Sequence, residues 1–333
     1  MAFGTHLTAS GGQVQLAPYF DSNIAEQTTV PKSSIGLKGR LDANTAIRLH
    51  ALSIEGRFLA QGYLDTRYRG ESKLVLNPAL SLRLPLGGGV TGLAGLHYFY
   101  KSFAGESRRL QWSEITAILR TPITPPVSGW LGFITRFSRV QAGALYRFTG
   151  TEIYLGTRYA LAKSLFVEGR LAYAALAHRD YPARRLAQGT TLMPLPANQQ
   201  DQGPAGSLSL EYQGKIIAGA RGGWEHISSN SIIGAYDQGW VRGYLTGRVG
   251  AANFYHLVVQ AARRTYRYPN YPVPREYLDP EGPARNQVHL RLEHLFTEHS
   301  VAYLQLSVLR NETIFVNRYY NKTLFEMGVT KQW

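Results

Sequence analysis

The sequence predicts an all-β fold, a transmembrane antiparallel up-and-down β-barrel of about sixteen strands, with fourteen to eighteen fitting the same pattern. Three observations predict it. Apolar and polar residues alternate with a period of two from end to end, the signature of strands with one apolar and one polar face. The breaks between alternating runs take turns between short and long, as expected of a barrel with tight turns at one rim and loops at the other. Helical spacing is missing, and apolar runs such as Leu171 to Ala177 fall far short of the roughly 18 to 20 residues a spanning helix needs.

The strands are taken in order, with an expected length of about 9 to 11 residues per crossing. They are 7–20, 33–41, 45–63, 72–86, 90–103, 109–121, 128–146 and 152–161, then 165–177, 207–213, 215–227, 240–249, 253–266, 287–296, 300–312 and 321–333. In the fourth, every even position from Leu74 to Leu86 is apolar. In the ninth, Leu165, Val167, Leu171 and Tyr173 oppose Glu168 and Arg170. In the twelfth, Val241, Leu245 and Val249 oppose Arg242, Tyr244 and Arg248. In the fourteenth, Val288, Leu290, Leu292 and Phe296 oppose His289, Arg291 and Glu293. Short breaks are expected at Asp42 to Asn44, Gly87 to Gly89, Ala162 to Lys163, Gln213 to Gly214, Gly250 to Ala252 and Thr297 to His299. Long loops are expected at 21–32, 64–72, 104–108, 178–206, 226–239, 266–286 and 311–320. The phase is least clear over 122–150.

A soluble propeller or sandwich also alternates, but its outer face is polar. Here one face carries Leu, Val, Tyr and Trp, and a packed core could not take the charges on the other. The whole of 1–333 is therefore expected to form one barrel in a bacterial outer membrane. The start, MAFGTHLTASGG, has no basic and apolar leader, so a removed signal, or more, is expected.

The chain contains no cysteine, which excludes a disulfide scaffold, a thiolate metal site and a cysteine nucleophile. The histidines lack metal-binding spacing, and Gly87 to Gly89 precedes no phosphate-binding helix, so no metal and no cofactor are expected. The balance is basic, 36 Lys+Arg against 22 Asp+Glu, for a formal charge of +14. Basic and aromatic residues do not share one stripe, so no nucleic-acid partner is expected. The expected partners are outer-membrane lipids, lipopolysaccharide phosphates, an anionic solute or polysaccharide, and a periplasmic component.

Alternation assigns Lys38, Arg40, Arg48, Arg83, Arg158, Arg170, Arg221, Arg242, Arg248, Arg264 and Arg291 to the lumen, opposed by Glu168, Glu211, Glu225, Glu293 and Glu326. A ring of fixed positive charge, about two cations per anion, would favour anions in an aqueous channel. The alternative is that these charges pair across strands to stabilise a wetted wall. Tyr154, Tyr244 and Tyr303 on the inner face, with Tyr266, Tyr268, Tyr271 and Tyr277 in a loop, offer stacking planes for sugar rings, although for any single one a girdle or packing role is the more common use in such barrels. The loops 178–206 and 266–286 are candidates for a constriction or lid.

The last strand, with Phe325, Met327, Val329 and terminal Trp333 on one face, resembles the C-terminal assembly signal of Gram-negative outer-membrane proteins. The hairpin rhythm around Tyr159 to Tyr173 and Leu292 to Leu304 resembles the barrel portion of polysaccharide-export porins, those of cellulose and poly-N-acetylglucosamine, and of surface lipoprotein assembly modulators. That resemblance implies a sixteen-stranded export pore, without the helical repeats of those families. His226 and Ser228 resemble the His-x-Ser pair of outer-membrane phospholipases and lipid A deacylases. The third member of that site would fall near Trp240, and Asp237 is expected in a loop, so the imidazole lacks an orienting partner and no catalysis is expected. The expected function is a pore with an electropositive lumen for anionic solutes or export of an acidic polysaccharide. The alternatives are a lipid hydrolase using His226 and Ser228, or a docking barrel for a surface or periplasmic partner.

Overall fold

A computed structural model of the chain describes residues 5–23, 32–105, 109–142, 144–186, 192–232, 234–267, 286–312 and 319–333. Sixteen antiparallel strands form one closed barrel. In chain order they are β1 (Thr5–Asp21), β2 (Ser34–Leu49), β3 (Leu52–Asp65), β4 (Lys73–Gly87), β5 (Val90–Phe103), β6 (Arg109–Thr124), β7 (Val127–Ala142) and β8 (Ala144–Ala162). They continue as β9 (Leu165–Leu186), β10 (Leu192–Gln213), β11 (Ile217–Ser229), β12 (Tyr236–Val249), β13 (Asn253–Tyr266), β14 (Asn286–Thr297), β15 (Ser300–Glu312) and β16 (Tyr319–Gln332). The one helical element among the described residues is a 3₁₀ turn, Arg69–Glu71, and no helix there is long and apolar enough to cross a membrane.

Each strand bonds its sequence neighbours, and β1 closes on β16 from Gln13–Gln332 to Asp21–Leu324. At the seam, Gly12 and Trp333 exchange backbone hydrogen bonds of 3.2 and 3.1 Å. A Cβ on Gly12 would strike the Trp333 ring, so the seam needs glycine there. Tight turns use left-handed residues: His50, Gly87 to Gly89 and Gly250 all have positive φ.

The layers are inverted relative to a soluble protein. Leu16, Leu80, Leu131, Leu155, Leu208, Val241 and Val329 all point outward and are exposed, and aromatic side chains such as Tyr159, Tyr212, Tyr173 and Trp224 join them. Gln15, Lys38, Asp42, Lys101 and Glu326 point inward and are buried among their neighbours. A soluble chain rarely exposes so large an apolar surface, whereas a lipid-facing belt with a polar interior requires it.

Several expected boundaries move. The break at Asp42 to Asn44 is strand, and the turn lies at His50 and Ala51. Asp42 and Asn44 imitate a turn because they face a polar interior, where Asp42 pairs with Arg40 and Arg57. Residues 147–151 are likewise strand within β8, and the break falls after Ala142. The expected loop 178–206 is mostly the continuation of β9 and β10 into a hairpin of 22 residues per strand, with 187–191 outside the described residues. Beyond the lipid, that hairpin meets water on its outer face and packs its inner face on neighbouring strands, so it loses the alternation that marks the membrane segments. The 268–285 part of the other candidate lid, with Tyr268, Tyr271 and Tyr277, lies outside the described residues.

Candidate functional site on the inner wall

Residues paired across strands share a face, so the register assigns each charge to a side. All nine candidate arginines, Arg40, Arg83, Arg158, Arg170, Arg221, Arg242, Arg248, Arg264 and Arg291, lie on the inward face. So do Lys38 and Arg48. Sequence reasoning missed Arg57, Arg120 and Arg136, which share that face. Arg57 was hidden because the misplaced turn reversed the parity of β3. Asp42, Glu55, Glu114 and Glu152 also face inward, so the excess of cations is narrower than the expected two to one.

The inward cations do not form a uniform ring. Arg40 and Arg57 both bind Asp42, at 2.9 and 2.7 Å. Arg136 pairs with Glu114, Arg170 with Glu152, and Arg291 with Glu293. Lys38 donates to both oxygens of Glu326 at 2.9 Å. Arg264 donates to Gln238 and to the Tyr266 hydroxyl. Among the described residues, Arg83, Arg158, Arg221, Arg242 and Arg248 have no carboxylate within ion-pair distance, although Glu168 stands opposite Arg158 in register.

The most concentrated of these is on β11 and β12. Arg221 and Arg242 are direct cross-strand partners. Like charges in that arrangement repel unless water or an anion intervenes. On their other sides they face Ser209 and Gln260, which are neutral. Arg221 donates to Ser207 Oγ at 3.0 Å and stacks its guanidinium 5.5 Å from the Trp240 ring. Glycine makes room for the frame: a Cβ on Gly219 would come 2.5 Å from the Tyr244 ring, and one on Gly223 would come 2.7 Å from the Trp240 ring. Two aromatic planes thus lie against the glycines on either side of Arg221. Arg242 is exposed, so solvent reaches this patch. The tyrosines singled out in sequence divide: Tyr244 belongs to the patch, whereas Tyr154 lies under the Arg170 guanidinium and Tyr303 under that of Arg291.

At the loop end, the extended hairpin leans over the interior. Tyr181 of β9 is buried against Tyr266 of β13, four strands away, with Leu192, Ile232 and Tyr236 around them. Ser231 Oγ accepts from the Arg184 backbone N–H and Ile232 N–H donates to the Arg184 carbonyl, both at 3.0 Å, which ties the hairpin to the β11–β12 connection.

One expectation is overturned on the outer face. Asp237 is not in a loop but in β12, directly opposite His226 and 2.6 Å from its Nδ1. Sequence spacing could not find it because cross-strand contact depends on where β12 begins.

No family model and no curated protein matches the chain. Among solved structures it is similar in fold to OmpF of Salmonella typhi in a complex with daunomycin, with a TM-score of 0.50, 10% identity, and coverage of 98% of this chain and 97% of that one. A loop L8 deletion mutant of OmpT, an outer membrane protein of Vibrio cholerae, aligns over 99% of both chains at 13% identity with a TM-score of 0.49. The Pseudomonas putida toluene transporter TodX aligns over 98% of this chain and 90% of its own at 11% identity with a TM-score of 0.40. Closed by β1 and β16, belted with apolar side chains and polar within, the chain is a bacterial outer-membrane β-barrel.

Proposed function

We propose that the barrel is a pore whose inner wall selects anions, passing anionic solutes or an acidic polysaccharide. The observation that carries this reading is the Arg221–Arg242 juxtaposition, two neighbouring inward guanidiniums with no carboxylate at ion-pair distance, Glu211 one rung away being bonded to Tyr244. An unneutralised pair of this kind is tolerated only where water reaches it, and its field lowers the energy of an anion passing nearby. Sixteen strands enclose an aqueous channel, in contrast to the side-chain-filled interior of an eight-stranded barrel. Arg158 on β8 and Arg248 on β12 extend the positive potential along the same side of the wall, and Arg83 on β4 faces them from the opposite side. Tyr244 and Trp240, flat and apolar with a polar edge, give a passing sugar ring a surface beside the charges. Strength at each step is modest, which suits conduction: binding must be weak enough for release.

The test is conductance of the refolded protein in a planar bilayer with an acidic oligosaccharide added to one side. Current that the acidic oligosaccharide blocks, and that a neutral oligosaccharide of equal length blocks much less, supports the reading. Equal block by both removes the role of the arginines.

A further inference from the structure

The outward face at the loop end of β11 holds three side chains in a relay that the pore does not use. His226 and Ser228 lie two apart on one strand and so point the same way. Ser228 Oγ is 3.4 Å from His226 Nε2, and His226 Nδ1 is 2.6 Å from Asp237 Oδ1 on the neighbouring strand. The carboxylate on Nδ1 selects the tautomer that carries its proton there and leaves Nε2 free to accept the serine proton. The side chains of His226 and Asp237 are 52% and 72% exposed, so the cluster is open to a substrate from outside the barrel.

Its height specifies that substrate. Moving along β10, β11 and β12 toward the loops, the outward residues run Leu208, Gly206 and Pro204; Ala220, Gly222 and Trp224; and Leu245, Val241 and Gly239. They then turn polar, at His226 and Asp237 on one rung and at Ser228 and Gln202 on the next, so the cluster sits where the apolar belt ends. That boundary is where the ester groups of membrane lipids lie, with acyl chains below and headgroups above. Arg263, opposite Gly239 in register, is outward and exposed one rung to the membrane side of Asp237, where its long side chain can extend up to the boundary as a cation for a phosphate.

We propose that Ser228, His226 and Asp237 hydrolyse acyl esters of phosphate-bearing amphiphiles at the outer membrane boundary. Ser228 Oγ attacks the ester carbonyl while His226 Nε2 takes its proton. The ester C–O bond breaks, His226 returns the proton to the departing alkoxide, and an acyl-serine remains. Water, deprotonated by His226, then attacks the acyl-serine to release the fatty acid and restore the hydroxyl. Asp237 is a positioning residue. The site lies on the face opposite the pore wall and stands independently of the pore reading.

The test measures covalent labelling by a fluorophosphonate and fatty-acid release in detergent micelles, one arm with phosphatidylglycerol and one with acylated lipid A. The folded wild type is expected to be labelled at Ser228 and to release fatty acid in at least one arm, which also identifies the source of the ester. Ser228→Ala abolishes both signals and leaves conductance unchanged. Asp237→Asn lowers kcat on the order of 10²- to 10⁴-fold with KM unchanged, and Asp237→Glu recovers part of it. Arg221→Gln with Arg242→Gln leaves hydrolysis intact. Neither label nor fatty acid from the folded wild type in either arm, or release that survives Ser228→Ala, overturns the proposal.

Discussion

The wall made by β16, β1, β2 and β3 and the wall made by β10, β11 and β12 follow one alternation rule and end in opposite electrostatic states. In the first, every inward cation except the exposed Arg48 near the β2–β3 turn is neutralised and packed. Glu326 is 0% exposed and holds Lys38, and Asp21 pairs with Lys322 at 2.7 Å. Asp42 gathers Arg40 and Arg57. Gln15 donates to Tyr303, and Tyr19 meets Tyr63 edge-on at 5.9 Å. In the second wall, small residues such as Ser207, Ser209, Gly219 and Gly223 leave Arg221 and Arg242 facing each other with neutral neighbours. An inward arginine is therefore not evidence of a conduit by itself. What matters is whether the register supplies a carboxylate, because a buried charge must be paired while a wetted one need not be.

Breaking the packed wall should have the largest effect. Lys38→Met leaves Glu326 buried without its partner and is expected to cost about 3–5 kcal/mol, whereas Lys38→Met with Glu326→Leu recovers most of that loss. Urea unfolding in lipid vesicles measures both. Next is the belt itself: Leu155→Arg on the outer face should cost about 2–4 kcal/mol in the same assay, because the charge enters hydrocarbon. A smaller effect with opposite sign is expected from the open wall. Arg221→Gln relieves like-charge repulsion across β11 and β12 and should raise stability by roughly 0.2–1 kcal/mol while weakening anion preference. The smallest effect needs no mutation. Raising salt from 0.1 to 1 M shortens the screening length from about 10 to about 3 Å, so selectivity should fall while stability of the packed wall hardly changes. Reversal potentials in a salt series read the first, and unfolding midpoints the second.

The fold was legible because the lipid imposes a rule that acts on nearly every second residue. Leu74 to Leu86 needs no tertiary information to read as a membrane strand. Legibility failed where that rule lapses. Asp42, Ala43 and Asn44 look like a turn to a reader who cannot see Arg40 and Arg57 waiting inside the barrel. The β9–β10 hairpin leaves the lipid and with it the alternation. At the candidate sites, parity alone sufficed to place Arg221 and Arg242 on the inner face. Pairing could not be read, since Lys38 finds Glu326 through the closure of β1 on β16, and His226 finds Asp237 through the start of β12. Local pattern decides which side a residue faces, and register decides what it meets there.

The central claim, that the β11–β12 arginines give the wall its sign, is tested most directly by the reversal potential across a salt gradient for wild type and for Arg221→Gln with Arg242→Gln. An anion-selective wild type, with the variant's reversal potential moving toward zero at an unfolding midpoint no lower than the parent's, is the predicted result. A cation-selective or non-selective wild type, or a variant as anion-selective as its parent, would contradict it.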